Sequence, residues 1–125
     1  HPRVRRQRQM CIRDRYDISA AIQAYVESHG YSIVREYVGH GIGRRMHEPP
    51  EVPNFGNPGH GPRLLRGMTI AVEPMVNAGS AAIKQMPDGW TVKTADGKNA
   101  AHYENSLLIT AGEPELLTDP EKSLV

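Results

Sequence analysis

The chain has 125 residues, 38% of them hydrophobic and 23% charged, which bounds it to at most one domain, and a small one for enclosing a cavity. A single cysteine, Cys11, excludes an internal disulfide, and no apolar run reaches the roughly 20 residues of a membrane span. The arginine-rich start has no apolar stretch behind it, so no secretory signal is legible, and a soluble protein of a reducing, cytoplasmic compartment is expected.

The net charge of +1 conceals two unlike parts. Residues 1–15 carry six arginines against Asp14, a balance of +5, which leaves −4 for residues 16–125. A basic arm for nucleic acid is one reading of the leader. The stretch lacks aromatics and periodicity, so the expectation is a disordered or non-native segment over 1–15, with the folded unit over 16–125 and no direct nucleic-acid readout. The chain starts at His1 and not at a methionine, as expected of a processed chain or a piece of a longer one.

From Asp17 onward Ile18, Ala21, Ile22, Tyr25 and Val26 recur at the spacing of one helix face, Asp17 or Ser19 can cap the start and Gly30 can close the end. Tyr31 to Val38 alternates polar and apolar β-formers and predicts a strand. It leads into VGHGIGRRMHEPP, residues 38–50, where Gly39, Gly41 and Gly43 disfavour a helix by about 1 kcal/mol each relative to alanine. His40, framed by glycines, reads either as a functional imidazole or as a buried core histidine, and tight strand packing asks for the same glycines. Residues 49–62 hold five prolines and predict an ordered surface loop.

Met68, Ile70 and Val72 then alternate on a strand that ends at Glu73-Pro74, where Glu73 is either an edge-strand glutamate facing water or a site carboxylate. Asp88-Gly89 and Asp96-Gly97 signal two hairpins around a strand over Trp90 to Thr94. A long strand over Ala100 to Thr110 follows. Glu104 is the odd residue in it, since carboxylates are rarely buried unless paired or metal-bound. The tail after Glu113 is expected as surface structure.

His40, His47, Glu73 and Glu104 make the unusual set, each on or beside a predicted strand. An imidazole with two carboxylates suits Mn, Fe, Co or Zn, and no thiolate competes. The spacing is not that of H-E-x-x-H zinc proteases. There is no G-x-S-x-G elbow, and GHGIG lacks the lysine of a phosphate loop. Residue types alone therefore leave a metal site as one option among others.

The blocks REYVGHGIGRRMHEPPEVPNFG, GMTIAVEPMVNAGS, DGWTVKTADGK and AHYENSLLIT, in this order, change that. From about Asp17 to Thr118 the chain resembles the C-terminal half of type I methionine aminopeptidases, enzymes that remove the initiator methionine from new polypeptides. The resemblance implies an α+β fold, half of a pita-bread fold, with an antiparallel sheet covered by an amphipathic helix. It implies two divalent ions (Co, Mn, Fe or Zn) in the complete enzyme, with His40 and Glu73 as ligands of one and Glu104 bridging both. It makes His47 a non-ligand histidine that hydrogen-bonds the substrate carbonyl, places Trp90 and Met46 at the methionine pocket, and gives Glu73 the proton transfers while a metal-bound hydroxide attacks the first peptide bond. Implied partners are the N-terminal methionine of nascent peptides and, transiently, the ribosome, with no membrane and a monomeric complete enzyme.

Two departures matter. The family draws two aspartate ligands and a substrate histidine from its N-terminal half, and these are not in this sequence, so the chain alone is expected to bind at most one metal weakly with negligible peptidase activity. Asn105-Ser106 stands where many members have His-Thr. The competing readings are an Xaa-Pro aminopeptidase or prolidase, which shares fold and ligands, and a non-catalytic pita-bread binding module. DGWTVKTADGK argues against the first and the three retained ligands against the second.

Overall fold

The computed structural model describes residues 15–119 apart from 60 and 62, so residues 1–14 of the expected leader lie outside the described part. Helix α1 (Arg15–Ser28) is followed by β1 (Ser32–Ile33), β2 (Gly39–Ile42), β3 (Glu48–Val52), β4 (Thr69–Val72), β5 (Met75–Asn77), β6 (Ile83–Gln85), β7 (Val92–Thr94), β8 (Ala100–His102), β9 (Asn105–Leu108) and β10 (Glu115–Leu116). All pairings are antiparallel. The main sheet runs β10-β9-β4-β2-β3, a second runs β1-β5-β8, and β6 pairs only with β7. This is the α+β architecture expected, with helix α1 laid against antiparallel sheet. Among the described residues no helix is long and apolar enough to cross a membrane.

Helix α1 ends where its sequence allows. Gly30 takes φ 80°, a left-handed value open to glycine, and its N–H donates to the Glu27 carbonyl at 3.0 Å. The buried side is Ile18, Ser19, Ile22, Gln23 and Val26, while Ala21 and Tyr25, expected there, face solvent with Tyr25 61% exposed. The helix is rolled toward its polar residues because these hold the proline-rich segment. The Ser19 hydroxyl donates to the Pro53 carbonyl, Gln23 Oε1 accepts from Gly56 N at 3.1 Å, and Asp17 Oδ1 accepts from Gly59 N at 2.9 Å. Bonds to otherwise unpaired backbone outrank the burial of one tyrosine ring.

Under the helix, Ile18, Val52, Leu64, Ile70 and Ile109 form the core, joined at its rim by Ile22, Met68, Val72 and Leu107. Each fully buried aliphatic side chain contributes about 1.5–3 kcal/mol relative to exposure.

Several local expectations are corrected. The strand predicted over 31–38 is only Ser32–Ile33, because the chain must bend before β2, and Arg35 instead covers the Phe55 ring at 4.6 Å. The stretch at 49–62 is not all loop: β3 includes Pro49 and Pro50, tolerated because it is an edge strand needing no ladder on its outer side. Asp96-Gly97 does not close a hairpin, since β7 pairs with β6 and β8 with β5. The predicted strand over 100–110 is broken at Tyr103-Glu104 into β8 and β9, which belong to different sheets. The tail after Glu113 supplies β10, an edge strand on β9.

Candidate metal centre

Strand register explains how the two carboxylates meet. β4 and β9 pair from Thr69↔Leu108 to Val72↔Asn105, so one further step sets Glu73 opposite Glu104. Beyond them the chain changes sheets: Tyr103 N donates to the Pro74 carbonyl at 3.2 Å, and Met75 pairs with His102. Both glutamates therefore stand at the joint between the two sheets. Glu73 follows a central strand of the main sheet, which removes the edge-strand reading, and it is only 16% exposed. Glu104 is not in a buried strand but exposed at the break.

His40 comes from the neighbouring strand, where it pairs with Ala71, two residues before Glu73. Its Nδ1 lies 2.9 Å from the Gly41 carbonyl. A carbonyl can only accept, so Nδ1 carries a proton and, in the neutral ring, Nε2 holds the lone pair. That lone pair faces Glu73, with Nε2 3.4 Å from Oε2. The glycines beside His40 serve the strand packing. A Cβ on Gly39 would lie 2.1 Å from the Ala71 carbonyl oxygen, and one on Gly41 2.3 Å from that of Pro49, so they let neighbouring backbones close in and leave the imidazole on the other face.

Among the described residues, His40, Glu73 and Glu104 each offer a ligand atom within 4.8 Å of the others. Ions of the zinc type hold N and O donors at about 2.0–2.2 Å, so two donors across one ion stand up to about 4.2 Å apart. Side-chain adjustment of about half an ångström closes the difference, and the N/O donor set fits a divalent ion. The electrostatics agree. Burial first, then the charge of Glu104 and a hydrogen bond with it, hold the Glu73 carboxyl above its ordinary range, with His40 and His102 opposing. Two carboxylates placed opposite each other need a proton or a cation between them.

His47 reaches the site by stacking, its ring centroid 4.2 Å from that of His40 at 57°. Met46 and Trp90 are not drawn into the cluster and stand 73% and 88% exposed. Trp90 is in a turn and not, as predicted, in the following strand. The Asp88 carboxylate accepts from Trp90 N at 2.9 Å, Thr91 N at 2.8 Å and the Thr91 hydroxyl at 2.6 Å, and these bonds hold its pKa below the usual carboxylate value. The indole lines an apolar cleft of about 700 Å³ with Val34, Tyr37, Met75, Ile83 and His102.

The sequence profile described as metallopeptidase family M24 matches residues 13–111. The chain belongs to metallopeptidase family M24. Within the family, the methionine aminopeptidase of Clostridium perfringens is 63% identical over 102 residues, which are 82% of this chain and 41% of that protein. Methionine aminopeptidase 1 of Bacillus subtilis is 54% identical over the same share of each chain. The crystal structure of the Thermotoga maritima methionine aminopeptidase superposes with a TM-score of 0.84 at 43% identity, covering 93% of this chain and 50% of the other. A Mycobacterium ulcerans dipeptidase PepE, at 22% identity and a TM-score of 0.56, shares the fold alone. The chain thus spans about two-fifths of the length of the curated relatives it matches, and its fold is the half pita-bread arrangement of the M24 aminopeptidases.

His102 was not singled out from the sequence. It lines the Trp90 cleft and lies close enough to Glu73 to lower its proton affinity, so it borders both the cleft and the His40, Glu73 and Glu104 cluster. The available signal was its place two residues before Glu104.

Proposed function

We propose that this chain carries part of the metal centre of an enzyme that removes the N-terminal methionine from polypeptides. The observation that carries the reading is the convergence of His40, Glu73 and Glu104, with the His40 tautomer fixed so that Nε2 faces the carboxylates. The names of its relatives supply the substrate class. A divalent ion held there would supply Lewis acidity and activate water at neutral pH.

The chain's own residues would divide the remaining work. Glu73, whose proton affinity is raised by burial and by Glu104, is suited to take a proton from the attacking water and return it to the leaving amine. Ionised together, Glu73 and Glu104 balance one divalent ion; a second ion requires acidic ligands from beyond these residues. His47 stacks beside His40 without entering the donor set, and as an N–H donor it would hold the substrate carbonyl and its developing negative charge. Trp90 and Met46, both exposed, would border the methionine side chain. The reading includes a cytoplasmic enzyme, monomeric when complete, meeting nascent chains near the ribosome.

The test is a chimera in which this chain replaces the matched 102-residue region of the Clostridium perfringens relative. It should release methionine from a Met-Ala-Ser peptide, lose that activity on chelation, and lose about 10²–10³ in kcat with His47→Ala, as for removal of an oxyanion donor. A folded, metal-loaded chimera with no activity would overturn the proposal.

A further inference from the structure

Glu104 is exposed, so packing does not orient it; the backbone on either side must. Upstream, the anchor is the bond from Tyr103 N to the Pro74 carbonyl. Downstream, one hydroxyl does the work. Thr118 Oγ1 accepts from Ser106 N at 3.1 Å and donates its proton to Asn105 Oδ1 at 2.8 Å, while Leu117 N donates to the Ser106 carbonyl at 2.9 Å. The two residues that follow Glu104 are thereby tied to a segment 12 and 13 positions further along the chain, just beyond β10. Asn105 also faces Val72, the residue before Glu73, so the same position lies at the hinge of both carboxylates. Its side-chain carbonyl is the acceptor that completes the clamp.

We propose that Asn105 and Thr118 are positioning residues for Glu104, a clamp that fixes the start of β9 so that the exposed carboxylate is held toward Glu73 and His40. This rests on the metal reading of the site. Partners of metal ligands typically change metal affinity by about 10- to 100-fold when removed, and a clamp acting through the backbone belongs at the lower end. A thread that merely closed the β9–β10 edge would alter stability and leave affinity alone.

The experiment is titration of the chain with Co²⁺, followed by visible absorption and calorimetry, beside thermal unfolding of the metal-free forms. Thr118→Val and Asn105→Leu should each weaken Co²⁺ binding about tenfold. Thr118→Ser, which keeps the hydroxyl, should stay within about twofold of the wild type. So should Thr110→Val, which removes a hydroxyl bonded to the Glu113 carbonyl at 2.6 Å in the segment joining β9 to β10, away from Glu104. Asn105→Leu breaks the contact from its other side, so the test stands even where the valine variant does not fold. Wild-type affinity in both clamp variants, or an equal loss in Thr110→Val, overturns the positioning role while leaving the metal site. Absence of saturable Co²⁺ uptake by the wild type overturns the metal reading and the clamp together.

Discussion

Replacing Gly39 with alanine tests the packing that sets His40 in place. The new Cβ would lie 2.1 Å from the Ala71 carbonyl oxygen on one side and 3.1 Å from that of Val52 on the other, both backbone atoms of flanking strands. Ordinary contact begins at 3.4 Å, so β2 must shift by more than about 1 Å away from β4, and β3 blocks that path. Overpacking of a core costs about 1–3 kcal/mol, and a clash with main chain on both sides belongs at the top of that range. At about 4 °C per kcal/mol for a domain of this size, Tm should fall by about 12 °C. Gly112→Ala is the matched control: nothing lies within 4 Å of its Cβ, so its effect should stay within about 0.5 kcal/mol. Thermal unfolding followed by circular dichroism reads both. A Gly39→Ala protein melting within about 2 °C of the wild type would refute the close approach of β2 to its neighbours.

Other consequences follow from the same contacts. Because the Glu73 pKa is raised in the folded chain, the folded state binds the proton more tightly than the unfolded one. In the metal-free protein the stability contributed by Glu73 should be fully present below the ordinary carboxylate pKa and be lost as pH rises through the raised value, whereas affinity for Mn²⁺ should rise over that window; melts and titrations at stepped pH read both. Glu104→Gln removes the repulsion but not the burial, so it should make the stability profile shallower, and an unchanged profile would contradict the pairing. Ser19→Ala removes the donor to the Pro53 carbonyl and should cost about 1–2 kcal/mol in denaturant unfolding, with a null effect refuting the tie between α1 and the proline-rich segment. Asp88→Ala should release the Trp90 amide, dropping its NMR order parameter from about 0.85 to below 0.6, and an unmoved value would show that the carboxylate is not what orders the turn.

The three side chains that converge are legible in the sequence as residue types out of place. A histidine among glycines, a glutamate ending an apolar strand and another inside a β-rich run drew notice without any structure. What hydrophobic alternation could not convey was the joint between the two sheets. Pattern reads Ala100 to Thr110 as one strand, yet the break at Tyr103-Glu104 is set by pairing across to Pro74, a contact with no local signal. The roll of α1 was missed for a related reason: apolar spacing placed Tyr25 inward, and the partners of Ser19 and Gln23, which turn it outward, lie more than thirty residues away. The edge position of β3, which makes its prolines tolerable, was likewise a property of strand order and not of its own residues.

The most direct measurement is equilibrium dialysis of the chain against Mn²⁺ with metal quantified per chain. One ion per chain is expected, with uptake lost in His40→Ala and sharply weakened in Glu104→Gln, since these residues with Glu73 make up the proposed donor set. No saturable uptake by the wild type, or uptake that His40→Ala leaves unchanged, would contradict the metal centre described above.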